Sequence, residues 1–236
     1  MAIPPIDPYE LPSAEDLPIG RVGWVADPDR AVLLIHDMQR YFLRAFTPAA
    51  SPLVDVVPRI DDLRALARAL EVPVLYSVQP GNQAPSERAL LWDFWGPGPS
   101  DYDEDTAIVD ELAPAPGEPV MTKWRYSAFQ RTDLRDRLRE MGRDQLLITG
   151  IYTHIGCLTT ALEAFMQDVQ PFLVADGTAD FSRREHLSAL EWAAGRCARV
   201  MTVHDVGAQL RGPLSEQIAI GADARPSAIS GSSPSL

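Results

Sequence analysis

The chain has 236 residues, 46% of them hydrophobic and 23% charged, the balance of a globular protein with room for one sizeable domain or two small ones. Its 33 acidic residues against 21 basic ones give a formal net charge of −12, which argues against nucleic acid or an anionic membrane surface as a partner. The longest apolar runs fall far short of the ~20 residues of a membrane span.

The N-terminus carries Pro4, Pro5, Pro8 and Pro12 among acidic residues, without the basic and apolar regions of a secretory signal. Residues 1–25 read as an extended, Pro-rich arm lying on the body. Ala31 to Ile35 is a continuous apolar run, predicting a strand buried on both faces. Leu53 to Leu70 repeats apolar residues at helical spacing, and Val72 to Val78 is a second strand. Gln79 to Pro119 is irregular and too long for an ordinary connection, so it is functional or carries a short helix. A short strand follows at Val120 to Thr122, a helix near Asp133 to Met141, and a fourth strand at Gln145 to Thr149. Gly156 to Gln167 is its helix, Gln170 to Ala175 a fifth strand, Arg184 to Cys197 a helix, and Arg199 to Val203 a sixth strand. Residues 208–236 are rich in Gly, Ser, Ala and Pro without periodicity and read as a largely disordered tail. Six strands alternating with helices predict one α/β domain over residues 26–207. It is a doubly wound, mostly parallel six-stranded sheet with helices on both faces.

In such folds ligands bind outside the carboxyl ends of the strands. Strand one ends at Asp37. Strand three ends at Lys123, the one Lys beside 20 Arg. A site that needs a compact ammonium rejects the planar guanidinium fork, so this position is a candidate for chemistry rather than for surface charge. Strand four ends in Gly150-Ile-Tyr-Thr-His-Ile-Gly156-Cys157, and a helix starting near Gly156 offers backbone N–H groups to an anion.

Asp37, Lys123 and Gly150-x-x-Thr153-x-x-Gly156 resemble the isochorismatase-like cysteine hydrolase superfamily. The resemblance extends through His36 to Leu43, Gln79-Pro-Gly81, Asp93 to Gly98, Thr122 to Phe129 and Pro171 to Asp176. Most members of that superfamily place a nucleophilic Cys at the last motif position. Here the position is Gly156, similar to the isochorismatases and above all to the phenazine-pathway type that hydrolyses 2-amino-2-deoxyisochorismate. The resemblance implies a cis peptide at Ile151–Tyr152 and a homodimer. It also implies cleavage of an enolpyruvyl ether, with Asp37 as general acid and Lys123 beside it. Gln79, Arg88 and the backbone near Gly156 would bind a small substrate carrying two carboxylates. Phe42, Trp95, Tyr126 and Tyr152 would form the apolar walls. The choice between an amino and a hydroxy group on the substrate ring is not readable, so a phenazine-type and a siderophore pathway both stay open.

No cofactor or metal is expected. Metal-dependent relatives use an Asp-x-His pair after strand two, which is missing here, and the four His residues lack ligand spacing. Simple alternation puts His36 and Asp37 on opposite sides of the strand. Two cysteines make neither a disulfide framework nor a zinc site, and predict reduced thiols in a cytoplasmic protein. The competing reading is a cysteine amidohydrolase, nicotinamidase-like, using Cys157. One helical step turns a side chain by about 100°, so with Thr153 fixing the register Cys157 is expected to point into helix packing.

Overall fold

Runs of apolar residues without polar alternation can only be satisfied between two layers of helix. In the computed structural model, which describes residues 3–212, six strands form, the central ones around such runs. They are β1 (Ala31–His36), β2 (Val74–Val78), β3 (Val120–Thr122), β4 (Gln145–Ile151), β5 (Gln170–Ala179) and β6 (Arg199–Met201). All neighbours pair in parallel, in the order β3-β2-β1-β4-β5-β6. The helices are α1 (Arg40–Leu43), α2 (Leu53–Ala69), α3 (Pro85–Arg88), α4 (Leu90–Trp95), α5 (Asp103–Thr106), α6 (Leu134–Glu140), α7 (Leu158–Met166), α8 (Arg183–Arg196) and α9 (Val203–Arg211).

Every residue of β1 is buried, and its side chains feed two separate cores. Leu33 and Ile35 pack with Val56, Ile60 and Leu63 of α2 and with Val206 and Leu210 of α9. Val32 and Leu34 pack with Leu134 and Leu138 of α6, Ala161 and Ala164 of α7, and Leu190 and Ala193 of α8. Each large aliphatic side chain so buried contributes about 1.5–3 kcal/mol. The strand order reverses between β1 and β4: from β1 the chain moves outward to β2 and β3, then returns to build β4, β5 and β6 on the other side. This is the switch point at which ligands enter open α/β sheets.

Several boundaries differ from the sequence expectations; β2 starts at Val74 rather than Val72, and β4 runs on to Ile151. The expected sixth strand stops at Met201, because the Thr202 hydroxyl accepts from the Asp205 N–H and starts α9. Helix α9 then runs to Arg211, so residues 208–211 are helical rather than part of a disordered tail; the rest of that expectation lies outside the described residues. Strand β5 continues through Asp176 and Gly177 to Ala179, held by pairing of Thr178 and Ala179 with Gly150 and Ile151 across a register shift. Helix α7 begins at Leu158, not Gly156, and a wide π-type turn covers Thr153–Cys157. The long excursion after β2 carries α3, α4, α5 and a 3-10 turn at Asp110–Leu112. The arm does lie against the body. Ile6 is buried in the α2-side core, its N–H donates to the Ala45 carbonyl at 2.7 Å, and a short 3-10 turn occupies Ala14–Asp16.

Candidate active site

The last residue pairs of β1 fix where the carboxylate stands. His36 pairs with Ser77 and with Gly150, and the next residue, Asp37, leaves the sheet with a left-handed backbone, φ 53°. Its N–H still donates to the Ser77 carbonyl at 2.9 Å, which holds this uncommon conformation in place. The carboxylate is almost fully buried. Lys123 Nζ lies 2.7 Å from Asp37 Oδ2 and also donates to the Arg125 carbonyl at 2.9 Å, its side chain only 1% exposed. Ser77 Oγ and Gln79 Nε2 approach the same carboxylate at 3.4 and 3.3 Å.

Asp37 and Lys123 form the polar floor of a cleft at the switch point. Gln79, Arg88, Gly156, Tyr152, Phe42, Trp95 and Tyr126 line the same cleft, so the structure brings all nine sequence-predicted site residues together. The cleft encloses about 530 Å³ of empty space, counting its open mouth, within the range of small-molecule sites. Its walls are tied together by side-chain hydrogen bonds. Trp95 Nε1 donates to the Tyr126 hydroxyl at 2.7 Å, and the Tyr152 hydroxyl donates to the Phe42 carbonyl at 2.7 Å. Burial pushes the Tyr152 phenol well above its ordinary range and keeps it protonated for that role. The Ile151–Tyr152 peptide is cis, as the resemblance implies.

Arg88 is held differently from every other wall residue. Its Nε donates to the Gly96 carbonyl at 2.5 Å, while Nη1 is buried and has no hydrogen-bond partner among the described residues. Among the described residues no carboxylate pairs with it, and burial pushes its guanidinium down from the usual arginine range. Gly98, at φ 78°, lets the guanidinium lie flat against the backbone, since a Cβ there would sit 2.5 Å from Arg88 Cζ. A buried cation without a counter-ion at the wall of a cleft is a site prepared for an anion.

Several contributors escaped the sequence reading. Gln39, fully buried, donates from Nε2 to the Gln79 carbonyl at 2.9 Å and accepts from the Gln79 N–H at 2.7 Å, so it fixes the Gln79 backbone at the edge of the cleft. Its place two residues after Asp37 is the only signal the sequence offers. Tyr41, Phe181 and the arm residue Ile3 also line the cleft. Tyr41 was legible as the neighbour of Phe42 on α1, whereas Ile3 is far from every motif. His36 does not face away from Asp37: the left-handed turn at Asp37 breaks the alternation and leaves His36 Nδ1 3.7 Å from Asp37 Oδ2. The expected free helix start near Gly156 is partly taken, because the His154 N–H donates to Asp180 Oδ2 at 2.7 Å.

Cys157 is fully buried against α6–α8 side chains, and burial pushes its thiol well above the ordinary range. A nucleophile must present a thiolate to the cleft, and this side chain does neither. Cys197 is likewise buried, its thiol pushed up to about 11.

The Isochorismatase domain model matches residues 31–205. The chain belongs to the isochorismatase family. It is 57% identical over 203 residues to the isochorismatase of Bacillus subtilis (strain 168), an overlap of 86% of this chain and 65% of that longer protein. It is 51% identical over 205 residues to the phenazine biosynthesis protein PhzD of Pseudomonas fluorescens, covering 86% of this chain and 98% of that one. Among solved structures, a cysteine hydrolase from Pseudomonas syringae pv. phaseolicola 1448A superposes with a TM-score of 0.73 at 23% identity, covering 82% of this chain and 97% of that one. That likeness speaks for the fold: an isochorismatase-like hydrolase built as one domain. This isochorismatase-family chain is a hydrolase, and its buried thiols set it apart from chemistry run by a cysteine.

Proposed function

We propose that the chain hydrolyses the enolpyruvyl ether of isochorismate or of 2-amino-2-deoxyisochorismate. The observation that carries this reading is a buried, counter-ion-free Arg88 in the same cleft as a buried Asp37–Lys123 pair, with no thiol at hand. A dianionic substrate of modest size supplies what Arg88 lacks. One carboxylate meets the Arg88 guanidinium, Gln79 donates to the substrate's polar groups, and the aromatic walls enclose the ring. Asp37 delivers a proton to the terminal methylene carbon of the enol ether, turning the C–O-bearing carbon into an oxocarbenium ion. Water adds to that carbon, and the proton it sheds returns to Asp37. The hemiketal collapses to pyruvate and a ring alcohol, either 2,3-dihydro-2,3-dihydroxybenzoate or trans-2,3-dihydro-3-hydroxyanthranilate. Lys123 holds the carboxyl group in line and stabilises its anionic form after proton delivery. No step draws on a metal or cofactor.

The B. subtilis relative is an isochorismatase at 57% identity and the P. fluorescens relative a phenazine biosynthesis protein at 51%, so the assay carries both substrates. Each is incubated with the protein and pyruvate is followed through a coupled lactate dehydrogenase. Turnover of either that disappears in Asp37→Asn supports the reading; inactivity of the folded protein on both defeats it. The cytoplasmic location and the homodimer belong to the same proposal. The location is supported by two unpaired thiols and checked by fractionation, and the homodimer by family likeness and checked by light scattering on the purified chain.

A further inference from the structure

An imidazole buried where an aliphatic side chain would pack more cheaply has been put there for its hydrogen bonds. His36 lies on the face of β1 that carries Val32 and Leu34 and is 0% exposed. Its Nδ1 is 2.9 Å from the Ile151 carbonyl and its Nε2 3.2 Å from the Tyr126 carbonyl. The ring lies over Gly156, where any Cβ would overlap its Cε1. Nδ1 is also 3.7 Å from Asp37 Oδ2. One ring therefore touches the end of β4, the turn after β4, the loop after β3 and the end of β1, and each of these supplies a residue lining the cleft.

We propose that His36 is a positioning residue for the acid, acting through its Nδ1–H bond to the Ile151 carbonyl. The proposal rests on the ether-hydrolase reading above. A neutral imidazole has one N–H to give, and the shorter of its two carbonyl contacts takes it. That bond ties the strand bearing Asp37 to the turn bearing Tyr152. It also fixes the ring edge beside the carboxylate, so that Asp37 keeps one orientation toward the substrate's methylene carbon. The bare Cα of Gly156 is the other half of the arrangement: only glycine leaves room for the ring, and the ring fills the room that any side chain at 156 would use. Proton delivery to carbon tolerates little misplacement, so loss of this bond is read in turnover rather than in binding.

Three variants separate hydrogen bonding from volume. His36→Asn can place its amide N–H near the Nδ1 position, His36→Gln near the Nε2 position, and His36→Leu matches Asn in shape without either bond. Thermal unfolding of each confirms folding, and pyruvate release gives kcat and KM. The expected result is a loss of at least tenfold in kcat for Leu and Gln with KM changed less than threefold, and recovery to within about threefold of the parent for Asn. Parent-like kcat in the Leu variant overturns the proposal, as does a folded Asn variant no faster than Gln. If Leu does not fold, the Asn–Gln contrast alone decides. Failure of the parent protein to release pyruvate is a different outcome: it removes the ether-hydrolase reading and the proposal with it.

Discussion

Replacing Lys123 by Met tests how the floor of the cleft is held. Met is close to Lys in length and shape but cannot donate to Asp37 Oδ2 at 2.7 Å or to the Arg125 carbonyl at 2.9 Å. The remaining donors to the carboxylate, Ser77 Oγ and Gln79 Nε2, stand at 3.4 and 3.3 Å, too long to take over. Removing one partner of a buried ion pair costs about 3–5 kcal/mol, because the other charge stays behind without compensation. For a domain of this size that corresponds to a fall in Tm of roughly 6–20 °C, at about 2–4 °C per kcal/mol. Adding Asp37→Asn removes the stranded charge. The double variant Asp37→Asn/Lys123→Met is therefore expected to regain most of the lost stability while remaining inactive. Urea unfolding of the parent, both single variants and the double variant closes the cycle. Additive single effects, or a Lys123→Met protein within about 1 kcal/mol of the parent, would show that the two groups do not rely on each other and refute the reasoning.

Arg88→Leu is expected to raise KM by roughly ten- to 150-fold, from the loss of a charged hydrogen bond of about 1.5–3 kcal/mol, and unchanged KM would remove Arg88 from substrate binding. Cys157 should resist iodoacetamide in the folded protein, since burial holds its thiol protonated; stoichiometric labelling that substrate prevents would revive the thiol mechanism. His186 is buried with its pKa pushed down to about 3 by desolvation, its ring hydrogen-bonded to Thr178 and Tyr9. The folded ring refuses a proton that the unfolded chain accepts near its ordinary value of ~6.5, so stability falls as pH drops from ~6.5 toward 3. In urea titrations His186→Gln should flatten that part of the pH profile; an unchanged slope would show that the decline comes from other groups.

The strands were legible because a sheet covered on both faces demands uninterrupted apolar runs, and β1 and β4 are built around two of them, Ala31 to Ile35 and Leu146 to Ile148. What escaped the sequence is set by long-range contacts. Asp176-Gly177 has the composition of a turn, yet pairing beyond it with Gly150 and Ile151 lets β5 resume across a register shift. Helix α9 had a readable start in Thr202 and Asp205, overshadowed by the apolar run before it. Asp37 stood out by its place at the end of the first apolar strand, and Lys123 as the one Lys beside 20 Arg at the end of the third. His36 was misjudged because alternation holds only while the backbone stays extended, and Asp37 is where it stops. Ile3 reaches the cleft through the packing of the arm, to which no local pattern refers.

Asp37 follows β1 and Lys123 follows β3, with β2 between them, so the two chains stand about 10 Å apart, two interstrand spacings of ~4.8 Å. The long side chain of Lys123 bridges that gap to the short aspartate. Strand β3 is three residues long, lies at the sheet edge and buries only Met121 among them. Besides its backbone pairing with β2, this edge is tied to the end of β1 by the span that Lys123 makes across the end of β2. The ammonium that pairs with Asp37 also links the sheet's edge to its centre. Amide hydrogen exchange along β3 would thus report the condition of the Asp37–Lys123 pair from across β2, whose Ser77 hydroxyl reaches the same carboxylate.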